Sequence, residues 1–184
     1  MRLVCFGDSN TYGYDPRSFL GGRYPEKQIW TYLLAELSGL EVVNLGQNGR
    51  EIPAEAGSLS GLLRQDDLLI VMLGSNDLLC HFHFTAGDVS ARMEGFLRTL
   101  PPCRVLLAAP PPMKRGAWVT EERLLRESAA LADAYKALAL RLRIGFADAG
   151  QWGVELAFDG IHFSQAGHLA FAKGVWEVLS CSLA

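Results

Sequence analysis

Five short apolar runs, each closed by glycine, proline or small polar residues and each followed by a helical pattern, constrain this chain more than any other feature. They cover residues 3–6, 41–45, 68–73, 104–109 and 145–148. The third, Leu68-Leu69-Ile70-Val71-Met72-Leu73, is apolar throughout. Runs without polar alternation belong to strands buried on both faces, the habit of parallel sheets. Helices are expected over 26–38, 53–64, 88–100, 120–143 and 164–179, from apolar residues at helical spacing and stop signals such as Gly39 and Pro101-Pro102. Residues 11–25, with Gly13, Pro16, Gly21 and Gly22, read as irregular. Strand followed by helix, five times over, predicts an α/β fold: one domain over residues 1–184, a three-layer α/β/α sandwich around a five-stranded parallel sheet. In such sheets ligands bind beyond the carboxyl ends of the strands.

At 184 residues and 49% hydrophobic content the chain can bury a sizeable core. A net charge of −3 gives no electrostatic case for nucleic acid or an anionic membrane surface. Cys5, Cys80, Cys103 and Cys181 are irregularly spaced and form no C-x-x-C pair, so free thiols in a reducing compartment are expected. The longest uncharged apolar run is too short to span a bilayer. With a strand starting at residue 2 or 3, no signal peptide is expected, and a cytoplasmic location follows as the default.

The loops at the predicted ligand edge carry the chemistry. Leu3-Val4-Cys5-Phe6 stops at Gly7-Asp8-Ser9, where glycine permits a sharp turn and a hydroxyl is presented just beyond it. On this stretch alone the stronger reading is a helix cap, because Asp8, Ser9, Asn10 and Thr11 are all good N-cap residues. Further loops add Gly49, Asn76, Asp159 and His162. A serine needs a base to become nucleophilic, and the base needs a carboxylate on its other nitrogen. Asp159 lies three residues before His162, a spacing that brings side chains together on one helical turn. The Ser9 amide, the Gly49 amide and the Asn76 side chain can serve as donors to a tetrahedral oxyanion.

Gly7-Asp8-Ser9, Gly46 with Gly49, Gly74-Ser75-Asn76-Asp77 and Asp159-Gly160-Ile161-His162 resemble, in order, the four sequence blocks of the SGNH (GDSL-type) hydrolases. Ala109-Pro110-Pro111-Pro112 and Asp148-Ala149-Gly150 bring the pattern nearest to the arylesterase and acyltransferase branch. The resemblance implies the SGNH variant of the flavodoxin-like fold and a serine ester hydrolase that needs no cofactor and no metal. It makes Ser9 the nucleophile, His162 the base and Asp159 its orienting acid, with Ser9, Gly49 and Asn76 as the oxyanion hole. Gly49, five residues beyond Asn44, is preferred to Gly46, which becomes a turn residue. Asn10 stands where many relatives carry leucine, which implies a more polar pocket floor. The segment from Arg50 to Asp66 is short for the arylesterase branch, so no branch-typical oligomer is carried over, although a homo-oligomer stays compatible with the chain.

Asn10, Phe82, Trp118 and Ile161 are the expected substrate-binding residues, with Trp152, Phe158 and Phe163 as further aromatic candidates. Asp8 and Asp77 should brace loops through backbone hydrogen bonds. Asp148 is the rival acid for His162. His81 and His83 are expected as pocket wall or surface and make a poor metal site without a third ligand; His168 is expected to be structural. Short connections at the catalytic edge and the polar 11–25 segment point to short acyl esters, acetyl to butyryl, of a small-molecule substrate, with water or an alcohol as acceptor. Two alternatives remain open on the sequence: a carbohydrate O-deacetylase with the same triad, and a flavodoxin-like flavin-binding module, which leaves Asp159 and His162 unexplained.

Overall fold

The computed structural model describes residues 1–18, 22–57 and 59–183. The expected breaker Gly21, and Ser58 within the expected helix over 53–64, lie outside the described residues. In chain order the elements are β1 Leu3–Gly7, α1 Ser9–Tyr12, α2 Trp30–Ser38, β2 Val42–Gly46, α3 Leu59–Leu62, β3 Leu68–Met72, α4 Ser75–Cys80, α5 Ala86–Arg98, β4 Arg104–Ala109, α6 Glu122–Leu142, β5 Gly145–Asp148 and α7 Gln165–Leu183. The five strands form one parallel sheet in the order β2-β1-β3-β4-β5.

Period-2 alternation divides the apolar strand residues between two cores. Val4, Phe6, Leu69, Val71 and Leu107 point to the face covered by α5 and α6. Leu3, Cys5, Leu68, Ile70, Met72 and Leu106 point to the face covered by α2 and α7. Both faces are dry, which is why β1 and β3 carry no polar alternation. The chain leaves β1 toward β2 on one side and returns to β3 on the other, so the loops after β1 and β3 diverge and open a crevice at the carboxyl edge.

Three helix expectations need correction. Residues 26–38 do not form one helix: a 3₁₀ turn at Glu26–Gln28 is separated from α2 by extended Ile29 (φ −84°, ψ 138°). Ile29 is buried against Gly13, where an added Cβ would sit 2.6 Å from the isoleucine Cδ1. Among the described residues of 53–64 the one helical element is the single turn α3, because Gly57 takes φ +49° and the Ala56 N–H bonds the Thr99 hydroxyl. Helix α5 begins two residues before the expected start, since Thr85 is its N-cap and Asp88 closes a capping box on it. The short helices α1 and α4, which no periodicity signals, start within three residues of the ends of β1 and β3. They carry Ser9 and Asn76.

His168, on α7, is structural as expected. It is fully buried, its Nδ1 accepts the Trp30 N–H (3.4 Å), and its ring packs edge-on against Tyr24 and Phe163. Burial lowers its pKa from 6.5 to about 4, with the Asp15 charge opposing and the His162 charge assisting. The unfolded chain therefore binds this proton more tightly, and the stability from a neutral His168 is full above pH 6.5 and lost as pH falls toward 4. Asp8 acts in the opposite sense: burial raises its carboxyl from 3.8 to about 6, so its contribution is full below 3.8 and lost as pH rises through 6. The two slopes offset one another in the wild type. His168→Leu removes the His168 slope and leaves the slopes of Asp8 and the other shifted carboxyls in place. The stability of wild type relative to this variant should therefore grow by about 3 kcal/mol between pH 4 and pH 7. Denaturant unfolding of both proteins across that range checks it, and a pH-independent difference contradicts a buried neutral imidazole.

Candidate active site

Gly7 ends β1, and the chain turns at once into α1. Asp8 is the N-cap, its carboxylate accepting the Asn10 N–H (2.9 Å), and Ser9 is the first helical residue. The capping motif and the presented hydroxyl are thus one device. As an N-terminal helix residue, Ser9 carries an amide with no intrahelical acceptor, and it sits at the positive end of the turn.

The opposing histidine comes from the loop after β5. Asp159 Oδ1 accepts the Ile161 and His162 N–H groups (2.9 and 3.0 Å), folding the loop back on itself. Asp159 Oδ2 lies 2.6 Å from His162 Nδ1, and His162 Nε2 lies 3.0 Å from Ser9 Oγ. The carboxylate assigns the ring proton to Nδ1, which leaves Nε2 to accept from the serine hydroxyl. Burial alone would push the Asp159 carboxyl up; hydrogen bonds from the His162 ring and the two amides outweigh it and hold the pKa below the usual range. Both residues are buried, so the short bond works in a low dielectric. The segment 114–119 backs this loop: Lys114 N–H donates to the Gly160 carbonyl, Ala117 N–H to Phe158 and Trp118 N–H to Asp159. That pairing sets Trp118 edge-on to the His162 ring, centroids 5.4 Å apart.

The remaining groups come from β2 and β3. Gly46 ends β2 as a close-approach residue, not a turn residue, for an added Cβ would lie 2.0 Å from the Tyr12 nitrogen. Gly49, with φ +70°, forms the following turn and lines the cleft. Gly74 takes φ +121°, where a Cβ would meet the Tyr135 hydroxyl at 2.7 Å, and releases β3 into α4. Asn76 is the second residue of α4; its Nδ2 donates one proton to the Arg50 carbonyl (3.1 Å), which orients the amide and ties it to the Gly49 turn. Arg50 anchors that turn: its guanidinium donates to the Gly7 and Leu45 carbonyls and lies over the Phe6 ring. Asp77 braces as expected, accepting the Ile52 N–H and facing Arg92 at 3.2 Å.

Ser9, Gly49, Asn76 and His162 meet at one cleft of about 250 Å³, whose surface is mostly apolar. Trp118 and Ile161 line it as expected, and so do Tyr14, Asn48 and Leu79, which sequence reasoning missed. Leu79 had a usable signal, since it lies one helical turn beyond Asn76. Tyr14 had none: its N–H bonds the Ser9 carbonyl (3.0 Å) and its ring lies 4.6 Å from that of His162, a contact made by tertiary folding.

Two expected pocket residues are elsewhere. Asn10 is not a pocket floor; it is buried with its amide engaged by the Ile161 carbonyl and the Phe163 N–H. Phe82 is exposed over Arg123 and is not part of the cleft wall, because α4 ends at Cys80 and directs the chain outward. Of the other aromatics, Phe163 and Trp152 pack on Phe171, and Phe158 borders a separate groove of about 590 Å³ with Tyr24 and Leu169. Asp148 caps the turn after β5 through the Gly150 N–H, so it does not rival Asp159. His81 pairs with Glu51 (2.6 Å) beside Arg92, and His83 is exposed. Among the described residues no three His, Cys, Asp or Glu side chains are grouped to hold a metal ion, and no helix is long and apolar enough to cross a membrane.

Solved structures with this architecture include a carbohydrate acetylesterase from Sinorhizobium meliloti, 26% identical over 98% of this chain and 99% of that one, TM-score 0.85. The native M. smegmatis aryl esterase is 28% identical over 98% of each chain, also at TM-score 0.85. A lipolytic G-D-S-L family protein from Veillonella parvula, 19% identical over 98% of each chain at TM-score 0.72, shares the fold. A search of curated proteins gives no match. The model of the GDSL-like lipase/acylhydrolase family matches residues 5–170. That span takes in every residue of the cleft and leaves the flavin-module alternative without support. The chain belongs to the GDSL-like lipase/acylhydrolase family and is a carboxylic ester hydrolase.

Proposed function

We propose that the protein cleaves small acyl esters, acetyl to butyryl, through an acyl-enzyme on Ser9. The observation that carries this is the continuous hydrogen-bond chain from Asp159 through His162 to Ser9 at the wall of a 250 Å³ cleft. In this reading His162 Nε2 takes the Ser9 proton as Oγ attacks the ester carbonyl, and Asp159 stabilises the imidazolium. The Ser9 amide, the Gly49 amide and the second Asn76 amide proton receive the oxyanion. Collapse of the tetrahedral species expels the alcohol, which takes the proton from His162. Water or an acceptor alcohol then attacks the acyl-enzyme with the same base. The partner proposed is the small ester alone. The described cysteines carry no disulfide, which suits a reducing compartment and a cytoplasmic location as part of the proposal.

The acyl limit rests on size and lining. A cleft of about 250 Å³ is smaller than the usual range of small-molecule sites, about 300–1,000 Å³, and Leu79, Ile161 and Trp118 line it. Each methylene that fits adds about 0.8 kcal/mol, and overpacking costs about 1–3 kcal/mol once the chain no longer fits. Across aryl esters from acetate to palmitate, kcat/KM should peak between acetate and butyrate; a maximum at octanoate or longer contradicts the short-acyl proposal. The second reading, sugar O-deacetylation, is favoured by the exposed indole of Trp118 at the rim, which offers a stacking face to a sugar as well as to an aryl ring. Acetylated sugars run beside aryl acetates at equal acyl group decide between them.

A further inference from the structure

Asn10 follows Ser9 in α1, is almost wholly buried, and reaches the loop that carries the histidine. Its Nδ2 donates to the Ile161 carbonyl (3.2 Å) and its Oδ1 accepts the Phe163 N–H (2.8 Å). The two bonds grip the backbone immediately before and immediately after His162. Asn10 is itself fixed, since its own N–H is held by the Asp8 carboxylate (2.9 Å).

We infer that Asn10 is a positioning residue for the ester hydrolysis, setting the distance and facing of His162 Nε2 relative to Ser9 Oγ. The inference rests on the roles proposed for Ser9 and His162. Asp159 holds the same peptide segment through the Ile161 and His162 N–H groups and fixes the twist of the ring through Nδ1. Nothing in that grip refers to the serine. Asn10 supplies the reference, because it is covalently joined to Ser9 and non-covalently joined to both neighbours of His162. An amide suits this role because it presents one donor and one acceptor on a rigid plane. Leucine offers neither and leaves a buried carbonyl and a buried N–H without partners. Ionised aspartate keeps the acceptor but repels the Ile161 carbonyl. Protonated aspartic acid, with a hydroxyl donor and a carbonyl acceptor, reproduces the amide.

The test uses steady-state kinetics on an aryl acetate with wild type, Asn10→Leu and Asn10→Asp. Asn10→Leu should lose about 10²-fold in kcat, the scale of a small misplacement of reacting groups, with KM within about twofold. At pH 8 Asn10→Asp should be comparably slow. Its kcat relative to wild type should then rise as pH falls from 8 to 6, as the buried carboxyl protonates and regains both bonds. Asp8, Asp77, Asp159 and His162 are the titratable and charged neighbours, present in both proteins, and the ratio to wild type reads the carboxyl introduced at position 10 against the same surroundings. With the folded fraction measured at each pH by circular dichroism, a residue that merely holds the fold together would show a pH-dependent rescue of folding but not of kcat per folded molecule. If Asn10→Leu does not fold, the Asn10→Asp ratio decides alone. A near-wild-type kcat for Asn10→Leu, a loss confined to KM, or a flat Asn10→Asp ratio overturns the inference. Ser9→Ala run in parallel separates the two levels: an active Ser9→Ala removes the nucleophile assignment and the inference with it. An inactive Ser9→Ala beside a fully active Asn10→Leu removes only the role of Asn10.

Discussion

Ser9→Ala should leave the protein folded and lower kcat on an aryl acetate by roughly 10⁶-fold, the loss seen when a triad nucleophile is deleted. The fold should persist because the turn after β1 is held by Asp8, whose carboxylate caps α1, and not by the Ser9 hydroxyl. Most activity should be lost because the hydroxyl 3.0 Å from His162 Nε2 is the nucleophile that the proposed acyl-enzyme requires. A residual rate remains from the oxyanion donors and from substrate binding. The discriminating measurement is paired: thermal unfolding and turnover on one preparation, with mass spectrometry to detect a trapped acyl group in the wild type. A folded Ser9→Ala that turns over within tenfold of wild type sinks the mechanism.

Asn76→Ala should lower kcat by roughly 10²- to 10³-fold while KM changes little, since a preorganised donor acts on charge that develops only in the transition state. The structure adds a second contribution. The same amide holds the Arg50 carbonyl at 3.1 Å, so its removal also loosens the turn that presents Gly49. Asn76→Asp separates the two effects poorly, because a carboxylate repels both the Arg50 carbonyl and the oxyanion; it should be at least as slow as alanine. A variant that loses only KM would make Asn76 a binding residue. Stopped-flow measurement of acylation, apart from deacylation, is the direct readout.

The local chemistry was legible because each part of it is fixed by neighbours in the chain. Apolar runs of about five residues can satisfy their backbone only by pairing with other strands, and their lack of polar alternation demands cover on both faces. The Asp159–His162 pair depends on an i, i+3 spacing and two amides of the same turn, so it forms wherever that turn forms. Gly7-Asp8-Ser9 likewise encodes strand end, cap and presented hydroxyl within three residues.

Longer-range relations were not legible. Asn10 looked like pocket lining, yet its partners are 151 and 153 residues away, and no local pattern states which carbonyl and amide a buried amide will find. Ile29 has the right spacing for helix, but packing against Gly13 holds it extended. Phe82 lies outside the cleft and Tyr14 lines it for a similar reason: the path of a loop across the sheet edge decides which aromatic ring reaches the histidine. By itself the sequence determined the strands, the order of layers and the pairing of Asp159 with His162, because these follow from periodicity and from contacts within a turn. Only the tertiary structure decided the walls of the cleft and what holds its two halves in register, because burial leaves each polar group to find its partner wherever the fold brings one.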